Sequence, residues 1–304
     1  MSSQARQDTI VPDYRRPAAL LVPHYDSTIR HVLEGIATFA ARVIGVVLLS
    51  RDPDLTRAFV AAQPHRDRFS VVTAPYDTPW LRDRSPFAVR TADGYRWRVT
   101  RLNPMERPLD DVLFTRISRR PLEEVPIVLP QGNVVAGPRG VTITTRRVLD
   151  DNRGTDEATL KAAMRRLGVR RWIISRTFAS EMTGHADLYV RFLHARLLAV
   201  AWSETLAADR EVAAELEARV RGALPEIEIL KLPLRSEGPL YASPLNWIHV
   251  GRTVLVPRYP LTMSTDIEAI DRALVRRGFR VDFVDSPTLE YGGSLHCLTA
   301  AVYV

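Results

Sequence analysis

The feature that most constrains the fold of this chain is a recurring order of strand, helix and strand. Residues 18–22 are typical of a buried strand, the apolar spacing over residues 26–41 predicts a helix, and residues 43–49 predict a second strand. The same order returns about five times, in steps of roughly 45 to 60 residues. Helices that alternate with strands in this way favour an α/β fold.

The remaining predicted helices and the strands that follow them complete this rhythm. They are residues 54–61 with 69–73, 156–167 with 171–175, 206–224 with 226–230, and 266–278 with 280–284. Three pairs of extended segments between them predict hairpins, at residues 133–136 with 141–144, 188–193 with 197–201, and 246–250 with 253–256.

The domain organisation follows from the same reading. We interpret residues 1–17 as a polar N-terminal segment and residues 18–304 as a single catalytic domain, because no low-complexity linker divides the chain. Residues 107–126 are predicted to form a long irregular loop.

Composition excludes several classes of protein. With 304 residues, 46% of them hydrophobic, the chain can bury a sizeable core. Its apolar runs are far shorter than the roughly 20 residues that cross a bilayer, and the N-terminal segment has no apolar signal-peptide region, so we expect a cytoplasmic protein that does not enter the membrane. One cysteine and seven scattered histidines predict no internal disulfide, no metal site and no cofactor.

The net charge of +7 suits an acidic partner, but the arginines are spread along the whole chain. We therefore regard nucleic acid as an unfavoured partner, while a homodimer stays open.

Four segments carry residues suited to chemistry. Cys297 follows the pair Gly292–Gly293 and His296, and glycines let a backbone approach a ligand closely beside a thiol. His185 and Asp187 stand two residues apart before an apolar run, which predicts side chains on one face of an extended segment.

The other two segments are less specific by themselves. Trp80, Arg82 and Asp83 crowd into a loop between two strands, where functional side chains are often held on a rigid scaffold. The residues from Pro130 to Asn133 precede a strand and predict a turn.

Taken together and in this order, the four segments resemble the agmatine deiminase and bacterial peptidylarginine deiminase family. Its members share a Trp-x-Arg-Asp loop, a Gly-Asn turn, a Gly-His-x-Asp segment and a C-terminal Gly-Gly-x-x-His-Cys. The resemblance spans about residues 75–304. It implies the pentein fold, a five-bladed α/β propeller, which agrees with the fivefold rhythm above.

Carried over position by position, the resemblance assigns roles. Cys297 would be the nucleophile and His185 the general acid and base, with Asp83 and Asp187 gripping the guanidinium of a substrate. Trp80 would wall the pocket. Arg82, Asn133, Gly292, Gly293 and His296 would complete the binding site.

The implied reaction is hydrolysis of a guanidino group to a ureido group with release of ammonia, and the implied substrate is agmatine, free arginine or an arginine-containing peptide. Two alternatives stay open: transfer of the amidino group to an amine, and a non-catalytic pentein that binds a partner. The chain departs from the family pattern at Pro130, where a Glu is usual, at Ser85 and at Ser294. The first departure leaves the orientation of His185 open.

Overall fold

The computed structural model describes residues 8–102 and 107–303. Within these residues it contains eighteen strands, here numbered in chain order: β1 Thr9–Ile10, β2 Ala19–His24, β3 Gly45–Ser50, β4 Phe69–Thr73, β5 Phe87–Thr91, β6 Gly94–Arg101, β7 Leu122–Val128, β8 Val135–Ala136, β9 Val141–Thr145, β10 Arg171–Ser175, β11 Val190–His194, β12 Leu197–Ser203, β13 Glu228–Glu237, β14 Leu240–Ala242, β15 Ile248–Val250, β16 Thr253–Arg258, β17 Arg280–Asp285 and β18 Ala300–Val302.

The same residues form eight α-helices: α1 Arg30–Ala41, α2 Pro53–Ala61, α3 Leu81–Arg84, α4 Pro108–Ile117, α5 Arg147–Asp151, α6 Glu157–Arg166, α7 Ala207–Ala223 and α8 Ser264–Val275. Five short 3-10 helices accompany them: Arg66–Arg68, Gln131–Asn133, Pro138–Gly140, Ala186–Leu188 and Leu289–Tyr291.

The strands form five small sheets, and four of these sheets are built in one way. An antiparallel hairpin is followed by helix and then by a strand that pairs parallel to the second hairpin strand. The four modules are β5-β6-α4-β7, β8-β9-α5-α6-β10, β11-β12-α7-β13 and β15-β16-α8-β17. A helix between parallel strands is the short connection that such pairing requires.

The fifth module joins the two ends of the chain. β18 pairs antiparallel with β2, with Ala300 opposite Leu21, and β2, α1 and β3 then repeat the order seen in the other four. The last described strand, β18, therefore completes the module that begins at β2, and this closes the ring of five.

Local sequence explains why the helices begin where they do. Asp52 accepts hydrogen bonds from the backbone N–H of Asp54 and Leu55 at the start of α2, and Pro53 occupies its first turn. Asp156 caps α6 in the same way through the N–H of Thr159. The described helices include none that is long and apolar enough to cross a membrane.

Most predicted elements are confirmed, two of them at both ends. The strands predicted at residues 69–73 and 171–175 are β4 and β10, and the three predicted hairpins are present. The loop predicted at residues 107–126 is wrong, because α4 and β7 occupy it. Pro108 in the first turn, Asp110 and Asp111 beside it and the buried side chains of Leu113 and Phe114 all favour that helix.

The N-terminal segment takes part in the fold from residue 9 onward. Thr9 and Ile10 pair antiparallel with β5, and Ile10 lies in a buried apolar cluster with Val89 and Leu167. The division of the chain at residue 17 stays a prediction, but the residues before it are structurally joined to the ring.

Candidate active site

Each of the five modules brings one segment with polar side chains to the centre of the ring. In four modules this segment lies just before the first strand of the hairpin, and in the fifth it lies just before β18. Asp83 lies in α3 before β5, and Asn133 ends the 3-10 turn before β8. His185 precedes β11, Asn246 precedes β15, and Cys297 precedes β18. Residues far apart in sequence are thereby brought together at equivalent positions of a repeated unit.

A cavity of about 360 Å³ opens at this meeting point. Four of the predicted residues with side chains, and one glycine of the predicted pair, line it: Trp80, Asp83, His185, Cys297 and Gly292. Further lining residues that the sequence analysis did not single out are Leu102, Arg107, Asp111, Arg147, Asp151, Met182, Thr183 and Tyr291.

Cys297 is buried, and its sulfur has two polar neighbours. The Asn246 side-chain amide donates to Sγ over 3.2 Å, and Oδ2 of Asp187 lies 3.9 Å from Sγ. Burial raises the pKa of the Cys297 thiol well above its usual range, and the charges of Asp187 and Asp83 raise it further. The thiol of the free protein is therefore protonated at neutral pH.

Asn246 is a functional residue that sequence reasoning missed. Besides reaching the sulfur, it accepts hydrogen bonds at Oδ1 from the backbone N–H of His296 and of Cys297, at 3.0 and 3.3 Å. One side chain thus fixes both the backbone and the thiol of the segment that carries Cys297. Its position as the first residue of the predicted hairpin segment 246–250 was the available signal, since the other modules carry polar residues just before the corresponding strand.

His185 faces Asp83 across the cavity. Its Nδ1 lies 3.8 Å from Asp83 Oδ1, and its backbone N–H donates to the Thr183 hydroxyl. Gly132 packs directly against the ring: a Cβ at this position would lie 2.8 Å from His185 Nδ1. This chain has Pro130 at the position where the family usually has a Glu. The carboxylate that lies next to the His185 ring is that of Asp83.

Asp187 is fully buried next to the sulfur. Its Oδ2 accepts a hydrogen bond from His296 Nδ1 at 2.6 Å, while Oδ1 has no hydrogen-bond partner among the described residues. Burial opposes ionisation of Asp187, but the hydrogen bond and charge of His296, with His185 and Arg191 nearby, lower its pKa overall. A buried carboxylate with one free oxygen is suited to a cationic ligand.

The local conformation around His185 and Asp187 differs from the prediction. Residues 186–188 form a 3-10 helix, so the two side chains do not share one face of an extended strand. Both nevertheless approach Gly132, since a Cβ there would also lie 3.5 Å from Asp187 Oδ2. The 3-10 turn therefore brings the imidazole of His185 and the carboxylate of Asp187 close to each other, as the predicted strand was expected to do.

Arg82, Asn133 and His296, which were predicted to bind substrate, lie outside the cavity lining. Arg82 is buried and donates to the carbonyl oxygen of His296 and to the side chain of Gln131. Asn133 accepts from the backbone N–H and hydroxyl of Thr145. Arg82 and His296 thus connect the central segments of different modules, whereas Asn133 holds the end of β9 within its own module.

The glycine pair serves the cavity wall. Gly292 adopts φ +74°, a conformation that other residues rarely take, and it lines the cavity. A Cβ on Gly293 would lie 2.6 Å from the Trp80 ring. The indole of Trp80 can therefore lie flat against the backbone only because that position has no side chain.

This arrangement defines a class of protein. The thiol of Cys297, the imidazole of His185 and the carboxylate of Asp83 line a small cavity, and the carboxylate of Asp187 lies outside its lining, 3.9 Å from the sulfur. Carboxylates match the forked N–H groups of a planar guanidinium. Among the described residues no group of His, Cys, Asp or Glu side chains is placed to hold a metal ion. Five strand-helix modules around such a centre are the architecture of guanidino-modifying enzymes of the pentein fold.

The chain belongs to the Porphyromonas-type peptidyl-arginine deiminase family, whose model matches residues 11–302. It is accordingly a guanidino-modifying hydrolase, as the order of its four motifs predicted. No curated protein sequence is significantly similar to it.

Solved structures confirm the pentein fold. An agmatine deiminase from C. jejuni superimposes with a TM-score of 0.80 at 16% identity, over 100% of this chain and 98% of its own. An agmatine deiminase of Enterococcus faecalis gives 0.81 at 13% identity, over 99% and 98%. DDAH from Pseudomonas aeruginosa gives 0.53 at 14% identity, over 94% and 99%.

Proposed function

We propose that this chain is a cysteine-dependent hydrolytic deiminase that converts a guanidino group to a ureido group and releases ammonia. The observation that supports this most strongly is the shared cavity of Cys297, His185 and Asp83, with Asp187 beside the sulfur. A site that only bound a cation would have no use for a thiol and an imidazole placed together.

Binding comes first. Asp83 and the free oxygen of Asp187 accept hydrogen bonds from different edges of the guanidinium, while Trp80 covers one face of the group. Two unit charges about 4 Å apart attract by roughly 4 kcal/mol at an effective dielectric near 20, before desolvation is subtracted. Held in this way, the guanidinium carbon is directed at the sulfur of Cys297.

The first chemical step forms a covalent intermediate. The bound cation favours ionisation of the Cys297 thiol, whose proton passes to solvent, and the thiolate attacks the guanidinium carbon and forms a C–S bond. His185 delivers a proton to one terminal nitrogen, the C–N bond breaks, and ammonia leaves. An amidino-thioether remains on the protein.

Water completes the reaction. His185 takes a proton from a water molecule, and the oxygen of that water attacks the same carbon. The C–S bond then breaks, the ureido product departs, and the thiol of Cys297 is regenerated. His185 therefore acts as acid in the first half and as base in the second.

The substrate is an alkylguanidine: agmatine, free arginine or an arginine-containing peptide. A panel of these three, assayed for ammonia and analysed by mass spectrometry, tests the reaction. We expect ammonia and a product that is heavier than the substrate by about 1 Da, because one NH is replaced by oxygen. A new guanidine formed on an added amine would indicate amidino transfer instead, and no turnover of any guanidine would overturn the proposal.

The panel needs a control for the cavity. Asp83→Asn removes a proposed substrate ligand, whereas Asp93→Asn removes an exposed carboxylate in the turn between β5 and β6, outside the cavity lining. We expect turnover to fall at least about 100-fold in Asp83→Asn, because a charge-assisted hydrogen bond to the substrate is lost. In the second variant we expect turnover to change little.

A further inference from the structure

A series of charged side chains extends from Asp187 away from the cavity. His296 Nδ1 bonds Asp187, and on the other edge of the same ring His296 Nε2 lies 3.3 Å from Oδ2 of Asp13. Arg191 Nη2 lies 3.4 Å from the same Asp13 oxygen. His296 and Arg191 are 3% and 2% exposed, whereas the side chain of Asp13 is 24% exposed, so the cluster runs from the interior of the ring to a partly exposed carboxylate.

His296 is the link between the two carboxylates. Only the protonated imidazole carries an N–H at each nitrogen, and in that form His296 can donate to Asp187 from Nδ1 and to Asp13 from Nε2, which fixes the ring in its plane. Asp187 accepts at Oδ2 from this ring and leaves Oδ1 without a partner in the described residues. The direction of the free oxygen therefore depends on how firmly the imidazole is held.

Asp13 is well placed to hold it, although it comes from the N-terminal segment. β1 pairs with β5, and the N–H of Val11 donates to the carbonyl oxygen of Ala88 at 2.8 Å, so the backbone before Asp13 is anchored. Arg191 supplies the opposite charge and itself donates to the carbonyl oxygen of Leu245, next to the Asn246 that contacts the sulfur.

We propose that Asp13 is a positioning residue for the reaction at Cys297: acting through His296, it holds the Asp187 carboxylate in the orientation that receives the guanidinium. The proposal rests on the proposed function and extends it, since it assigns a role in substrate binding to a segment outside the predicted catalytic domain.

The charges around His296 are consistent with this role. Burial, Arg191 and Arg82 lower the pKa of His296 overall, and Asp13 and Asp187 act in the opposite direction, so the two carboxylates are the groups that favour the protonated ring. Burial also opposes ionisation of Asp13, but the hydrogen bond to His296 and the charge of Arg191 hold its pKa well below the usual range. The lowered pKa favours Asp13 as an anion facing Nε2 at neutral pH.

The first test is Asp13→Asn, assayed with the substrate on which the wild-type protein is most active. Since Asp187 contacts the guanidinium before and during reaction, we expect KM to rise about tenfold with a much smaller change in kcat. Asp13→Glu restores the charge and should recover part of the loss. Asp8→Asn is the matched control, because it removes an ion pair to Arg98 in the same segment, far from Cys297.

The second test separates positioning from general stability. His296→Asn keeps the ion pair of Asp13 with Arg191 but removes the link to Asp187, so it should raise KM even if Asp13→Asn fails to fold. In the double variant, Asp13→Asn should add no further increase in KM, because its path to Asp187 is already cut.

Three outcomes decide the matter. An unchanged KM in His296→Asn, or an Asp13→Asn effect that is equally large in both backgrounds, overturns the positioning role. A wild-type protein that turns over no guanidine overturns the proposed function instead, and the two failures are distinguishable because every variant is compared with active wild type.

Discussion

Gly132→Ala is the change that most directly tests the placement of the catalytic histidine. Gly132 is buried in the 3-10 turn before β8, and its φ lies outside the left-handed region, so alanine can adopt the backbone conformation. The added methyl group would lie 2.8 Å from His185 Nδ1 and 3.4 Å from its Cγ. The side chain that must give way is therefore the imidazole proposed to transfer both protons.

The size of the effect follows from this geometry. Ordinary van der Waals contact begins near 3.4 Å, so the ring must move by about 0.6 Å to accommodate the methyl group. A misplacement of about 1 Å at a reacting group can cost 100-fold in rate. We expect kcat to fall about 10-fold to 100-fold, equivalent to roughly 1.4 to 2.7 kcal/mol of barrier, with a smaller change in KM.

Ammonia release under saturating and limiting substrate gives the two constants, and thermal unfolding shows whether the fold is retained. Gly222→Ala is the matched control: it adds a methyl group within α7, with no atom within 4 Å, and should raise stability by up to about 1 kcal/mol without changing kcat. If Gly132→Ala is folded and has wild-type kcat, His185 does not transfer protons from the position described here.

Three further outcomes test the site. Cys297→Ala should remain folded and lose turnover of every guanidine, measured as ammonia release with unfolding curves alongside. Burial, Asp187 and Asp83 raise the pKa of the Cys297 thiol, so alkylation of Cys297 by iodoacetamide should be slow at pH 7 and become faster as the pH rises. Guanidinium at saturating concentration should accelerate this alkylation at fixed pH. A fast reaction at pH 7 without guanidinium would contradict the raised pKa. Gly293→Ala should raise KM several-fold, since the methyl group would displace the Trp80 ring, whereas a variant with unchanged KM would show that this ring does not contact substrate.

Much of the fold could be predicted from the sequence because the apolar residues that build it are local signals. The helix predicted at residues 26–41 begins at Arg30 in the structure and ends at Ala41, and the strand at residues 280–284 extends by one residue to Asp285. Each module repeats its strand, helix and strand pattern within about 60 residues, so short windows suffice to detect it. The closure between β18 and β2 has no such signal, since it joins opposite ends of the chain.

The candidate site was predictable only in part, for the same reason. Residues that lie in dense motifs, such as Asp83 and His185, were found and do line the cavity. Asn246 and Asp13 were missed, because their partners are distant in sequence. Asn246 contacts Cys297, 51 residues away, and Asp13 contacts His296, near the other end of the chain. Arg82 was assigned to substrate because the resemblance placed the Trp-x-Arg-Asp loop in the binding site, yet its Nε and Nη1 donate to the carbonyl oxygen of His296 and to the side chain of Gln131.

The electrostatics of the cavity explain how one set of residues can serve both binding and activation. Asp187 and Asp83 oppose the thiolate of Cys297 in the free protein, and at the 3.9 Å that separates Sγ from Asp187 Oδ2 such a repulsion is on the order of 4 kcal/mol at an effective dielectric near 20. A guanidinium held between the carboxylates and the sulfur cancels most of it. In the proposed reaction the nucleophile is therefore generated only when its target is bound, and we expect a neutral ligand of the same shape to occupy the cavity without activating the thiol.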